Sequence, residues 1–286
     1  MKISATDLVK IYRHDKRVVN GVSLEVEEGE VVGLLGPNGA GKTTTFYMIV
    51  GLVKPNAGKV MLDNEDITRQ PMYQRARAGI SYLPQETSVF RNLTVEENLL
   101  LVLEMQPLHK SARVSRAEEL MESLHITHKR DSLGKTLSGG EKRRVEIARA
   151  LASKPRFILL DEPFTGVDPK AIEDIEIIIQ QLSREQNIGI LITDHHVEAM
   201  LRITERAYII ADGVKRYEGT SDQLLSNSEA RAFYFGERYG LERVDAAREA
   251  AEDELRNVLN PDPPNKDEKQ MAQDEEKESD DIAPDR

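Results

Sequence analysis

The 286 residues, 39% hydrophobic and 31% charged, suffice for one large domain or two small ones, and the lack of cysteine excludes disulfides and thiolate metal sites. No apolar run approaches the ~20 residues that span a bilayer, and Met1 to Asp7 show no apolar signal region, so a chain neither membrane-spanning nor secreted by the usual route is expected. The net charge of −11 is uneven, with roughly nine of those charges after about residue 240, which leaves a nearly neutral body without the basic face of a nucleic-acid binder.

In chain order, Val22 to Val26 alternates as a half-buried strand, Glu27 to Glu30 turns, and Val31 to Leu35 is continuously apolar, as a strand buried on both faces should be. Thr43 to Val50 reads as a helix stopped by Gly51. From about Asn92 to Ala152 the pattern is mostly helical. Phe157 to Leu160 and Ile188 to Ile192 resume the buried strands, and Ala207 to Gly219 reads as a hairpin turning at Asp212-Gly213. This alternation predicts an α/β domain over 1–240 with an inserted helical subdomain at about 86–156. Beyond it, Leu241, Val244, Ala247, Ala251, Leu255 and Val258 form one thin apolar stripe, predicting an amphipathic helix over 241–259. Residues 260–286, opened by Asn260-Pro261-Asp262-Pro263-Pro264, are expected to be an acidic disordered tail.

Three strand ends carry chemistry. Gly36-Pro37-Asn38-Gly39-Ala40-Gly41-Lys42-Thr43 fits the phosphate-loop pattern, following a buried strand and opening a helix. Its glycines let backbone N–H groups turn inward around an anion, and the helix end adds partial positive charge. Lys42 is then expected to bridge the β- and γ-phosphates of a nucleotide, Thr43 to place its hydroxyl on Mg²⁺, and Thr44 to steady the neighbouring phosphate. Phe157 to Leu160 ends in Asp161-Glu162. In open α/β sheets ligands gather at the carboxyl ends of strands, so Asp161 is expected in the Mg²⁺ shell and Glu162 as the group that orients or deprotonates the attacking water. Thr193-Asp194-His195 ends a third strand, which makes His195 the candidate γ-phosphate sensor. His195-His196 as a metal site would need further ligands at recognisable spacing, and the sequence offers none.

Leu137-Ser138-Gly139-Gly140-Glu141 precedes a helical run, with Ser138 and Glu141 spaced as a capping box. By itself this is a second helix end open to an anion, or an ordinary cap. Together with the phosphate loop at 36–43, Gln85, the acid strand at 157–162, Asp168 and His195, all in this order, it resembles the ABC ATPase family over about residues 3–240. The resemblance implies a P-loop NTPase fold. It also implies a homodimer in which Ser138, Gly139 and Gly140 bind the γ-phosphate of the ATP held by the other subunit. It further implies that Tyr12 stacks on adenine, that Gln85 touches Mg²⁺ and water, and that Asp168 couples the two sites.

The stretches Gly36 to Met48, Arg75 to Glu86, Asp161 to Pro169 and Leu191 to His195 are similar, more narrowly, to the lipopolysaccharide-export ATPases. That likeness implies a peripheral protein on the cytoplasmic face of the inner membrane. It would meet the membrane only through two transmembrane permease subunits, with Phe90 and Arg91 as contacts, and would bind no nucleic acid. A branched-chain amino-acid importer is the alternative. A non-transport ABC ATPase acting on DNA or ribosomes is a remoter one. The chain departs from the export ATPases by continuing about fifty residues past Tyr234-Phe235-Gly236-Glu237. That extension would lie across the dimer, contact a partner, or be merely solvated.

Overall fold

The computed structural model describes residues 1–235. The expected helix at 241–259 and tail at 260–286 lie outside the described residues. The chain opens with strands β1 (Lys2–Ile11), β2 (Arg17–Glu27) and β3 (Val31–Leu35), then helix α1 (Lys42–Val50). Strands β4 (Ala57–Leu62) and β5 (Glu65–Asp66), helix α2 (Met72–Arg77) and strand β6 (Ile80–Leu83) follow. Between β6 and β7 (Phe157–Asp161) come helices α3 (Val95–Leu103), α4 (Lys110–Ser123) and α5 (Gly139–Leu151). The chain continues through α6 (Pro169–Arg184), β8 (Gly189–Thr193), α7 (Val197–Ile203), β9 (Arg206–Ala211), β10 (Val214–Gly219) and α8 (Ser221–Ser226).

Two sheets result. A four-stranded antiparallel one has the order β2-β1-β4-β5, and a six-stranded one has the order β10-β9-β3-β8-β7-β6. In the second, β9, β3, β8, β7 and β6 run parallel, and β10 joins the edge antiparallel. Its central strands are apolar throughout because both faces are covered. Successive side chains alternate between two cores: Val32, Leu34, Leu159 and Leu191 pack with α1 and the antiparallel sheet, whereas Val31, Leu35, Ile158, Leu160, Ile190 and Ile192 pack with α5, α6 and α7. On α6, Ile172, Ile175, Ile179 and Leu182 recur at helical spacing and are buried, while Asp168 accepts the Ala171 N–H at 3.1 Å and Pro169 starts the helix.

The segment between β6 and β7 is built from local rules. Thr94 with Glu97 and Ser138 with Glu141 both form complete capping boxes, which start α3 and α5. Leu99, Leu103, Leu120, Met121, Leu124 and Val145 close its apolar interior. The β9–β10 hairpin turns through Asp212 at φ 51° and Gly213 at φ 76°, the positive-φ pair that a two-residue hairpin favours. The consequence for function is positional. The carboxyl ends of β3, β7 and β8, three neighbouring parallel strands, lie on one side of the sheet.

Candidate phosphate-binding site

The loop after β3 admits no other residue at two of its glycines. A Cβ on Gly36 would lie 2.1 Å from the Ile210 carbonyl oxygen, and one on Gly41, at φ 102°, would lie 2.7 Å from that of Val18. α1 then begins at Lys42 with no side-chain cap, so its first N–H groups remain open toward the loop. Lys42 is buried, and its Nζ donates to the carbonyls of Gly36 at 2.7 Å and Pro37 at 3.1 Å. Burial pulls its ammonium below the ordinary lysine value, while Glu162 and Asp161 oppose that shift. Asn38, Gly39, Ala40, Gly41, Lys42, Thr43 and Thr44 line a cavity of about 160 Å³ together with Val18 and Glu162.

At the ends of β7 and β8, Asp161 stands in register with Thr193, and both are buried. Asp161 Oδ2 accepts the Tyr82 hydroxyl at 3.2 Å, whereas Asp161 Oδ1 and Thr193 Oγ1 have no hydrogen-bond partner among the described residues. Burial pushes the Asp161 carboxyl above its ordinary value. Buried polar atoms left without a partner in a native fold point to a ligand or ion. This one is an oxygen donor in an acidic setting, which fits a hard divalent cation such as Mg²⁺. Glu162 follows with φ 47°, a left-handed conformation uncommon for a non-glycine residue and concentrated at functional sites. Its N–H donates to the Thr193 carbonyl at 2.7 Å. Three donors converge on its carboxylate: His195 Nε2 at 2.8 Å on Oε1, and Gln85 Nε2 at 2.6 Å and Thr165 Oγ1 at 3.1 Å on Oε2.

The fold thus brings Gln85, Asp161, Glu162 and His195 beside the phosphate loop. Other sequence candidates lie elsewhere. Ser138, Gly139 and Gly140 start α5 outside the loop cavity, and the two glycines have a packing reason of their own: a Cβ on Gly139 would meet the Gly166 carbonyl at 2.6 Å, and one on Gly140 would meet the Ala171 Cβ at 2.6 Å. Tyr12 is exposed, with Lys10 Nζ 5.3 Å from its ring centroid, and does not line the cavity. Asp168 caps α6. Phe90 is 42% exposed beside an exposed Arg91, and the Arg149 guanidinium lies 4.5 Å over its ring.

Several polar residues here escaped sequence reasoning. Asp194 is fully buried, and it accepts the Phe164 N–H at 2.8 Å, the His196 N–H at 3.0 Å and a bond from His196 Nδ1 at 2.8 Å. It ties the His195 loop to the segment that follows Glu162. Arg143, buried on α5, donates to the carbonyls of Pro84 at 3.1 Å and Asp161 at 3.3 Å and pairs with Glu146 at 3.0 Å; Glu146 in turn accepts the Ser88 N–H at 2.6 Å. These two residues clasp both ends of the Gln85 loop. Of these, only Asp194, next to His195 at the end of β8, left a signal of proximity in the sequence.

Comparison with known proteins places this geometry. The sequence pattern described as ABC transporter matches residues 19–165. The lipopolysaccharide export system ATP-binding protein LptB of Escherichia coli is 53% identical over 240 residues, 84% of this chain and 99% of that protein. Among solved structures, the ADP conformation of MJ1267, an ATP-binding cassette of an ABC transporter, superposes with a TM-score of 0.73 at 29% identity and covers 82% of this chain and 99% of that one. A dimeric post-hydrolysis state of the cassette MJ0796 bound to ADP and Pi gives 0.69 at 29% identity over 77% of this chain and 98% of that one.

Proposed function

This chain belongs to the ABC transporter family of ATP-binding subunits, and from that premise we propose that it powers the extraction of lipopolysaccharide from the inner membrane for export to the outer membrane. It is an ABC-type ATPase whose hydrolysis is coupled to transport. The single observation that carries the narrower reading is the near-full-length likeness to the lipopolysaccharide export ATP-binding protein. No helix among the described residues is long and apolar enough to cross a membrane. We place the protein on the cytoplasmic face of the inner membrane, as a homodimer under two transmembrane permease subunits, with Phe90 and Arg91 on the docking surface and Arg149 bracing the Phe90 ring.

The chemistry follows from the residues. The open N–H groups of α1 and the nest at Gly36 to Gly41 receive the β- and γ-phosphates of ATP. Lys42 exchanges its two loop carbonyls for phosphate oxygens, which restores hydrogen-bonded partners to a buried ammonium. Thr43, Asp161 and Gln85 would hold Mg²⁺, with the free Asp161 Oδ1 as the available oxygen. When bound, the ion neutralises charge developing on the phosphate oxygens. Thr44 steadies the neighbouring phosphate. Glu162 orients or deprotonates the attacking water, and to do so it must give up some of the hydrogen bonds that Gln85, Thr165 and His195 now make to it. An arriving γ-phosphate competes for His195, so substrate binding itself begins to free Glu162. Tyr12 stacks on adenine. Ser138, Gly139 and Gly140 reach the ATP of the opposite subunit, and Asp168 relays between the two sites.

The experiment is identification of partners. The tagged chain is solubilised gently from native membranes and the co-purifying proteins are named by mass spectrometry. Two six-helix permease subunits with large periplasmic domains are expected. Amino-acid permease subunits would replace this reading with the importer, and ribosomal or DNA-bound partners would remove transport altogether.

A further inference from the structure

Tyr82 stands on β6, the strand beside β7, and its hydroxyl donates to Asp161 Oδ2 at 3.2 Å. The other Asp161 oxygen, Oδ1, is buried and unpartnered among the described residues, as is Thr193 Oγ1 in the next strand. A carboxylate left alone would be poorly fixed, because its terminal torsion has broad, two-fold preferences. Here one oxygen is engaged and the other left over, so the Tyr82 bond selects a single rotation of the group. The phenol is itself held from a second element: its ring meets that of Tyr47 edge-on, with centroids 6.2 Å apart and planes at 90°. Tyr47 belongs to α1, the helix whose first turn forms the phosphate site.

We propose that Tyr82 is a positioning residue for the divalent cation, holding Asp161 so that Oδ1 faces the ion while the Tyr47 ring fixes the distance to the phosphate helix. This rests on the reading of Asp161 as part of the Mg²⁺ shell. Tyr82 acts through Asp161 and touches no substrate. The arrangement follows the general rule that a ligating carboxylate is oriented by a hydrogen bond to its second oxygen, and that loss of such a partner weakens metal binding about 10–100-fold. A bond made only for stability would not explain why the opposite oxygen is left buried without a partner among the described residues.

The test is Tyr82→Phe in the full chain, which keeps the ring and its contact with Tyr47 and removes the donor. Mn²⁺ binding to the protein–ATP complex is followed by electron paramagnetic resonance, alongside metal-free ATP affinity and the melting midpoint. The half-saturating Mn²⁺ concentration should rise about tenfold or more, with metal-free ATP affinity unchanged. In an Asp161→Asn background the same substitution should add nothing further, as expected for residues acting through one another. A normal wild-type Mn²⁺ site that Tyr82→Phe leaves unchanged would overturn this inference alone. No ATP-dependent Mn²⁺ site in the wild-type protein would overturn the reading of Asp161 and this inference with it.

Discussion

The chain holds two helix N-termini suited to phosphate, and they are finished differently. α1 has no side-chain cap: it starts straight from Gly41, and a buried Lys42 folds over its loop, its ammonium borrowing two carbonyls of the same loop. α5 is closed by its own residues, because Ser138 Oγ accepts the Glu141 N–H at 3.3 Å and Glu141 Oε2 accepts the Ser138 N–H at 2.8 Å. Lys129 lies 3.1 Å from the other Glu141 oxygen. One end has no side-chain partner for its first N–H groups, and at the other a capping box engages the Ser138 and Glu141 N–H groups. The difference assigns an order to the two. A single subunit should bind nucleotide through α1, and α5 should contribute once a second subunit brings a phosphate to it.

The largest effect that sharpens this contrast comes from Glu162→Gln, which alters neither helix end. Turnover should fall about 10²–10⁴-fold, the usual worth of a positioned acid–base group, while ATP still binds. With hydrolysis stopped, ATP should hold the α5 end of each subunit on the nucleotide of the other. Light scattering with ATP should therefore report a doubled mass. A protein that stays monomeric would break the assigned order, because α5 would then have no role in the bound state.

Next in size is Lys42→Ala. Removing one partner of a buried, hydrogen-bonded charge pair costs about 2–5 kcal/mol, or ~30-fold or more in affinity. Calorimetry should show ATP binding weakened by at least that factor. Unchanged affinity would mean that α1 is not the primary phosphate site.

How much of this contrast could be read before the fold was known differs along the chain. The phosphate loop, the three buried strands that end at the site, the hairpin at Asp212-Gly213 and the capping box at Ser138 were all legible. Each is a short-range pattern in which local chemistry and final structure agree. Strands β1, β4 and β5 were not read. β1 and β4 pair across a long stretch of chain, Ile3 with Leu62 and Val9 with Ala57, with a register shift between Thr6 and Val9, and β5 is only two residues long, too short to show a pattern. Within the site, sequence gave the acidic residues but not their state. Nothing local foretold that Glu162 would take φ 47° or that His195, Gln85 and Thr165 would all bind its carboxylate. The grip of Arg143 and Glu146 on the Gln85 loop spans about sixty residues, and a charged pair on a helix reads as a solvated face until its burial is seen. The second reason for the glycines at 139 and 140, close packing on Gly166 and Ala171, depends on tertiary approach alone.

The smallest effect is the one that separates the two ends most cleanly. Ser138→Ala removes the hydroxyl that caps α5, a loss worth about 1 kcal/mol of stability, or ~2–4 °C in melting midpoint for a domain of this size. α1 has no such cap, so the affinity of a single subunit for ATP should not change. The cap also has a pH signature. Burial works against the Glu141 carboxylate, but the Ser138 backbone, Lys129 and the Ser138 hydroxyl together hold its carboxyl below the ordinary value of 4.5. The native state therefore favours the charged form. Its contribution is complete above that ordinary value and is lost as pH falls through the depressed one. Ser138→Ala leaves the acceptor for the backbone N–H and the Lys129 pair in place but removes the hydroxyl's own share of the shift, so the acid melting curve should move down as a whole and lose only part of its acid limb. Glu141→Ala should instead flatten the acid limb. If Ser138→Ala weakened ATP binding by the single subunit, the two helix ends would be serving one nucleotide within one chain, and the division between an open end and a self-capped end would fail.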